Sequence, residues 1–276
     1  MRFTKMQGCG NDYIYVDCFS ERVERPEELA REISDRHFGV GGDGLILIER
    51  SGRADAYMHM FNQDGSEGNM CGNGIRCTAK YLYEHGLIPK ERREVLIDTK
   101  SGIRKLSLRL EDGKVREVTV DMGEARLTSE LPERITVSGL PLSFIGIDVG
   151  NPHAVYFLED NPALKERGLS ALDLSRLGEA FEWHERFPER VNSEFIEVLS
   201  PSELNFRVYE RGSGETFACG TGATAAVAAG ILSGKLSDEV RLHLLGGDLM
   251  IRYERSDGHY YMTGPAEEVF SGEWKR

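Results

Sequence analysis

The sequence predicts an α/β (α+β) protein of two similar domains, each built mainly of antiparallel sheet with few helices. Three observations carry that expectation. Residues 58–74 (MHMFNQDGSEGNMCGNG) align without gaps on residues 206–222 (FRVYERGSGETFACGTG), so that Glu67 meets Glu215 and Cys71 meets Cys219. Alternating apolar runs recur along both halves, separated by Gly, Asn, Asp or charged turns, which is the pattern of strands joined without long crossovers. Residues 222–233 (GATAAVAAGILS) are apolar on every side, which marks a buried helix, and a strongly curved sheet wrapped around it would bury it.

The repeat extends beyond its strongest segment. GND followed by YIYVD at 10–17 resembles GNP followed by HAVYFLED from 150, VGGDGLILIE at 40–49 resembles RVNSEFIEV at 190–198, and VLIDTKSG at 95–102 resembles VRLHLLGG at 240–247. Four matches in one order argue for a duplicated unit of roughly 120–140 residues, a usual domain length. The expected boundaries are 1–118, with 265–276 returning to complete that half, and 119–264. Strands are read at YIYVD, DGLILIE, AYMHMF, KLSLRL, EVTVDM, HAVYFL, SEFIEV, NFRVYE, LMIRYE and YYMTG. Helices are read at 26–36, 75–85, 162–181 in pieces and 222–233. Gly86 and Gly234, each 15 residues beyond its cysteine, are expected to cap the two equivalent helices.

Composition narrows the function. The 276 residues are 40% hydrophobic and 29% charged with a net charge of −12, which suits a globular chain and opposes phosphate backbones and anionic lipid. The expected partner is a small molecule, with no nucleic acid and no membrane. No apolar run approaches the ~20 residues of a membrane span, and no charged segment followed by an apolar core opens the chain, so the reading is cytoplasmic. The five cysteines, at 9, 18, 71, 77 and 219, fit no disulfide framework and no paired zinc spacing, and no metal is expected.

Cys71 and Cys219 each precede G-x-G and a helix. A helix N-terminus offers unpaired N–H groups and a positive dipole end, which hold a carboxylate and lower a thiol's pKa. Gly72, Gly74, Gly220 and Gly222 let a ligand approach the backbone. A single cysteine in such a place reads more often as a small buried hydrophobe than as a base; two in duplicated positions reverse that preference and read as an acid/base pair. If the halves pack about a pseudo-twofold axis, one thiol stands on each side of a shared crevice, which is what inversion at one carbon requires. Neither a PLP lysine motif nor a dinucleotide-binding glycine motif is evident, so no cofactor is expected. Matched polar residues flank both loops: Asn11 and Asn151, Asn62 and Glu210, Asn73 and Thr221. Each reads either as a turn residue or as a ligand contact. His153 is structural or a thiol partner, and Glu210-Arg211 is a carboxylate clamp or a surface ion pair.

These residues closely resemble the diaminopimelate epimerase family. Its signature is present as Asn62-Q-Asp64-Gly65-Ser66-EGNM-Cys71-Gly72-Asn73-Gly74-I-Arg76, and GNPH at 150–153, FPERVN at 187–192 and YERGSGETFACGTGA at 209–223 look like family blocks. The resemblance implies two pseudo-symmetric domains, each a curved sheet around a central helix, often as a homodimer. It also implies PLP-independent interconversion of LL- and meso-2,6-diaminopimelate in lysine and peptidoglycan precursor synthesis. Cys71 and Cys219 would be the two bases, with His153 and Glu210 adjusting them. Asn11, Asn62, Asn151, Asn192, Glu210 and Arg211 would grip the substrate, and the backbones of Gly72-Asn73 and Gly220-Thr221 would hold its reacting carboxylate. Two departures stand out: Gly44 occupies a position where some members carry a ligand-contacting Gln, and Cys9 replaces the commoner Leu. A proline or hydroxyproline racemase, a non-catalytic amino-acid-binding protein and a thiol-ligated metal protein are the competing readings.

Overall fold

The computed structural model describes residues 1–275 and divides the chain into two compact units: Met1–Asp121 with the chain from Thr263 onward, and Met122–Met262. The first unit runs β1 (Arg2–Gly8), β2 (Asn11–Asp17), α1 (Pro26–Ser34), β3 (Gly44–Glu49), β4 (Ala56–Asn62), β5 (Glu67–Gly68), α2 (Gly72–Glu84), β6 (Glu94–Thr99), β7 (Gly102–Glu111) and β8 (Lys114–Gly123). The second runs β9 (Arg126–Leu127), β10 (Glu133–Val137), β11 (Leu140–Asp148), β12 (Pro152–Phe157), α3 (Pro162–Lys165), α4 (Leu174–Glu182), β13 (Asn192–Ser200), β14 (Glu203–Glu210), β15 (Gly214–Thr216), α5 (Gly220–Leu232), β16 (Glu239–Leu244), β17 (Gly247–Glu254) and β18 (His259–Gly264). The closing strand β19 (Glu267–Glu273) pairs antiparallel with β1 in the first unit.

The duplication is visible in strand pairing. In each unit one parallel pair follows the first hairpin: β2 on β3, with Tyr13 opposite Gly44, and β12 on β13, with His153 opposite Asn192. A second parallel pair follows the cysteine helix: β4 on β6, with Ala56 opposite Ile97, and β14 on β16, with Leu204 opposite Leu242. Most remaining pairings are antiparallel. In the second unit α5 packs on β11, β12, β13 and β17, strands spread along the sheet, so the sheet surrounds the helix. Its run from Gly222 to Gly230 is buried throughout, as an apolar helix without a polar face must be.

α2 is equally buried although it carries Arg76 and Lys80. Charges are tolerated there only because each is matched. Lys80 donates to the Val115 carbonyl and pairs with Glu84, and Arg76 donates to the Gly72 and Pro265 carbonyls. Outside the sheets, α1 and α4 cover the outer faces, over Ile14, Val16, Leu45 and Leu47 in one unit and over Tyr156 and Phe195 in the other.

Helix ends differ from expectation by two or three residues. α1 stops at Ser34 because Asp35 turns the chain, its carboxylate accepting from the His37 and Phe38 N–H groups. α2 and α5 begin at Gly72 and Gly220, earlier than the apolar patterns at 75–85 and 222–233 predict, because a cysteine sulfur caps each first turn. Gly86 and Gly234 end them with φ of +73° and +71°, the left-handed conformation that favours glycine. Among the described residues no helix is long and apolar enough to cross a membrane, and no cluster of three His, Cys, Asp or Glu is placed to hold a metal ion.

Candidate active site

The two cysteines occupy the same local structure in the two units. Each is extended, Cys71 at φ −126°, ψ 119° and Cys219 at φ −127°, ψ 110°, and each sits at the N-cap of its helix. Cys71 Sγ accepts from the Gly74 N–H at 3.3 Å, and Cys219 Sγ from the Gly222 N–H at 3.4 Å. Ser, Thr, Asp and Asn are the usual caps; here a thiol takes that role at a helix N-terminus, a place that favours an anion.

In the first unit Cys71 donates to Asn11 Oδ1 at 3.1 Å, and Asn73 Nδ2 donates to the same oxygen at 3.3 Å. Asp43 orients that amide, accepting from Asn11 Nδ2 at 2.6 Å. Gly72 therefore lies beside a closed set of Asn11, Cys71 and Asn73. Asn62 is held separately: its side chain donates to Ser66 Oγ at 3.0 Å in the turn made by Asp64, Gly65 and Ser66. Gly65, at φ +81°, is required there, since a Cβ would lie 2.5 Å from the Glu27 carbonyl oxygen.

The second unit gathers more charge. Cys219 and its helix start face Glu210, Asn151, Thr221 and, through Asn151, His153. Glu210 Oε1 accepts from Thr216 Oγ1 at 2.5 Å. Burial raises the Glu210 pKa, outweighing hydrogen bonds from Thr216 and Cys219 that lower it. Burial, then the charges of Glu210 and Glu194, hold the Cys219 thiol well above its ordinary value, while Thr221 and the Gly222 N–H act in the opposite sense. Thr221 Oγ1 stands 3.5 Å from Cys219 Sγ and accepts from Asn151 Nδ2 at 3.5 Å. Asn192 ties the neighbouring strands, donating to the Pro152 carbonyl at 2.9 Å and accepting from the Arg211 N–H at 3.0 Å. Glu210 and Arg211 form no ion pair with each other among the described residues. Arg211 is exposed, and its guanidinium donates to the Glu189 carbonyl, which leaves most of the fork open to a ligand.

Three contributors were not anticipated: Asp43, Thr216 and Glu194. Glu194 left a signal in the sequence, because it falls where the first repeat has Ile46, 148 residues earlier, and so places a charge at a core position. Its carboxylate lies 2.6 Å from His153 Nδ1.

The remaining thiols have quiet surroundings. Burial, with Glu49, Asp17 and Glu21 nearby, pushes Cys18 up to about 12, and burial pushes Cys77 up to about 11. A raised pKa leaves about one thiol in a thousand or fewer ionised near pH 8. Brief alkylation at that pH is therefore expected to spare both in the native protein and to label both after denaturation, as read by peptide mass spectrometry. Cys9 is buried beside Arg76, whose Nη2 is 3.8 Å from its sulfur. At Gly44 a Cβ would stand 2.1 Å from the Phe61 carbonyl oxygen and 2.9 Å from the Tyr13 ring. A Gln side chain has no room without a backbone shift. Gly44→Ala is expected to destabilise by about 1–3 kcal/mol, the usual cost of overpacking, measured as a lower urea midpoint.

Similarity to known proteins gives the family. The family model for diaminopimelate epimerase matches residues 3–128 and 145–269. The diaminopimelate epimerase of Pelotomaculum thermopropionicum is 48% identical over 99% of this chain and 99% of its own length, and that of Acetivibrio thermocellus 46% over 99% and 98%. A probable proline racemase from Agrobacterium radiobacter shares the fold, with a TM-score of 0.76 at 16% identity, covering 99% of this chain and 92% of that one. At that identity the likeness shows the architecture alone, whereas the near-full-length relatives at almost half identity carry the family assignment. The chain belongs to the diaminopimelate epimerase family.

Proposed function

We propose that this chain is an amino-acid isomerase that interconverts LL- and meso-2,6-diaminopimelate by a cofactor-independent, two-base mechanism. The observation that carries the reading is the pair of cysteine N-caps, Cys71 and Cys219, at equivalent positions of a duplicated unit. One sulfur, as thiolate, takes the α-proton. The other, as thiol, gives its proton to the opposite face of the same carbon, so the product leaves the two sulfurs with exchanged protonation states. The N–H groups of Gly72-Asn73 and Gly220-Thr221 hold the reacting carboxylate, where two helix dipoles favour the charge that builds on it as the proton leaves. Glu210 and His153 govern the protonation of Cys219. Asn11, Asn62, Asn151, Asn192, Glu210 and Arg211 grip the substrate, and Arg211 and the asparagines read the second, unreacting amino-acid centre, Arg211 by a fork that matches a carboxylate.

Such an enzyme serves lysine and peptidoglycan precursor synthesis in the cytoplasm, as a homodimer whose mass in sedimentation would be twice that of the chain. The competing reading, a proline racemase, has the shared fold in its favour, but the relatives near half identity favour diaminopimelate. Purified protein offered each compound separately tests the choice: conversion of LL-diaminopimelate with proline untouched supports this reading, and racemisation of proline alone contradicts it.

A further inference from the structure

Glu194 sits inside β13 with its side chain wholly buried, as is that of His153. Desolvating a carboxylate costs several kcal/mol unless it is matched. Its Oε1 is 2.6 Å from His153 Nδ1, and its Oε2 has no hydrogen-bond partner among the described residues. Gly222 makes room for it, since a Cβ there would lie 2.8 Å from Glu194 Oε1. At the corresponding place in the first unit, a Cβ on Gly74 would instead meet the methyl of Ile46 at 2.7 Å. The acid and its histidine therefore belong to one unit only.

From His153 a chain of contacts leads to the sulfur. Nε2 is 3.0 Å from Asn151 Oδ1, Asn151 Nδ2 donates to Thr221 Oγ1, and Thr221 Oγ1 faces Cys219 Sγ. An amide oxygen only accepts, so Nε2 carries a proton, and a second proton lies between Nδ1 and Oε1. The acid and ring together are then neutral. With its oxygen committed to Nε2, Asn151 turns its NH2 group to Thr221, which accepts and so keeps its own hydrogen for the sulfur. Removing the Nε2 proton reverses the order: the amide turns over, its oxygen takes the Thr221 hydrogen, and the sulfur loses a donor. Of the neighbouring carboxylates, Glu210 on β14 raises the thiol by its charge and Glu194 on β13 acts in the same sense but is offset by the ring with which it shares a proton, while α5 contributes no titratable side chain.

We propose that Glu194 is a positioning residue for Cys219: acting through His153, it keeps a proton on Nε2 and thereby holds Asn151 and Thr221 in the arrangement that donates to the thiolate. The proposal rests on Cys219 acting as a base, but its test reads thiol reactivity rather than turnover, so the two can fail separately. The measurement is the rate of Cys219 alkylation by iodoacetamide at about pH 8 in the full chain, followed on its peptide by mass spectrometry, since that rate follows the thiolate fraction. Thr221→Val is expected to slow it about tenfold, the usual worth of one hydrogen bond to a charged group. Glu194→Leu should slow it equally, and the double variant should be no slower than Thr221→Val alone. Glu194→Gln should alkylate at the unmodified protein's rate, because its NH2 can donate to Nδ1 and leave the proton on Nε2. Losses that multiply in the double variant, a Glu194→Leu chain that reacts normally, or a Glu194→Gln chain as slow as Thr221→Val would each overturn the proposal. The last comparison holds even if Glu194→Leu does not fold.

Discussion

Cys71→Ala and Cys219→Ala are each expected to lower epimerisation by ~10²–10⁴-fold or more, the range a single general acid or base contributes. Inversion in either direction uses both sulfurs, one to take the proton and one to give it, so neither variant retains a half-activity in either direction. The fold should survive. Each sulfur caps one helix N-terminus by a single long contact of 3.3 or 3.4 Å, and replacing a cap by alanine costs about 0.5–2 kcal/mol. A circular dichroism spectrum matching the unmodified chain, beside lost turnover, separates chemistry from folding. Near-normal turnover in either variant would sink the two-base model.

Oxidation should be the second large effect. The proposed mechanism has both thiols act on one carbon from opposite faces, so when no ligand intervenes these two are the thiols expected to join under oxidation. Mild oxidant is therefore expected to join Cys71 to Cys219, abolish activity and be reversed by dithiothreitol, with the joined peptides visible before reduction. Cys77 is no competitor, because it lies inside α2, beyond the first turn that Cys71 caps, and is wholly buried there. A fully oxidised sample with undiminished activity would count against the proposed arrangement of the thiols.

Much of this was legible in the residues, for identifiable reasons. The cysteine repeat survives as a gap-free match because the turn, the cap and the G-x-G helix start tolerate little change in length. Helix starts were misplaced because capping rules look for an oxygen, and here sulfur takes the role. The strand β1 shows no clean alternation, since both its faces are buried and Lys5 is satisfied there by Asp12 and the Gly41 carbonyl. Arg76 and Lys80 likewise hide in a helix whose pattern suggests a polar face. Of the cysteines, asparagines and Glu210 that the sequence singles out, Asn11 and Asn73 meet at the start of α2 and Asn151 reaches the start of α5 through Thr221, whereas Asn62 and Asn192 bond to other parts of their units. Its supporting carboxylates were not read. Asp43 resembles an ordinary turn residue, and Glu194 becomes conspicuous only when set against Ile46 of the other repeat.

The central claim is proton exchange at one carbon of diaminopimelate between two cysteine sulfurs without a cofactor. Incubating the purified chain with LL-diaminopimelate in deuterated water tests it most directly. The account predicts meso product carrying deuterium at the inverted α-carbon, with the other α-carbon unlabelled in the first turnovers. Ligand that binds yet returns without deuterium and without inversion would contradict it.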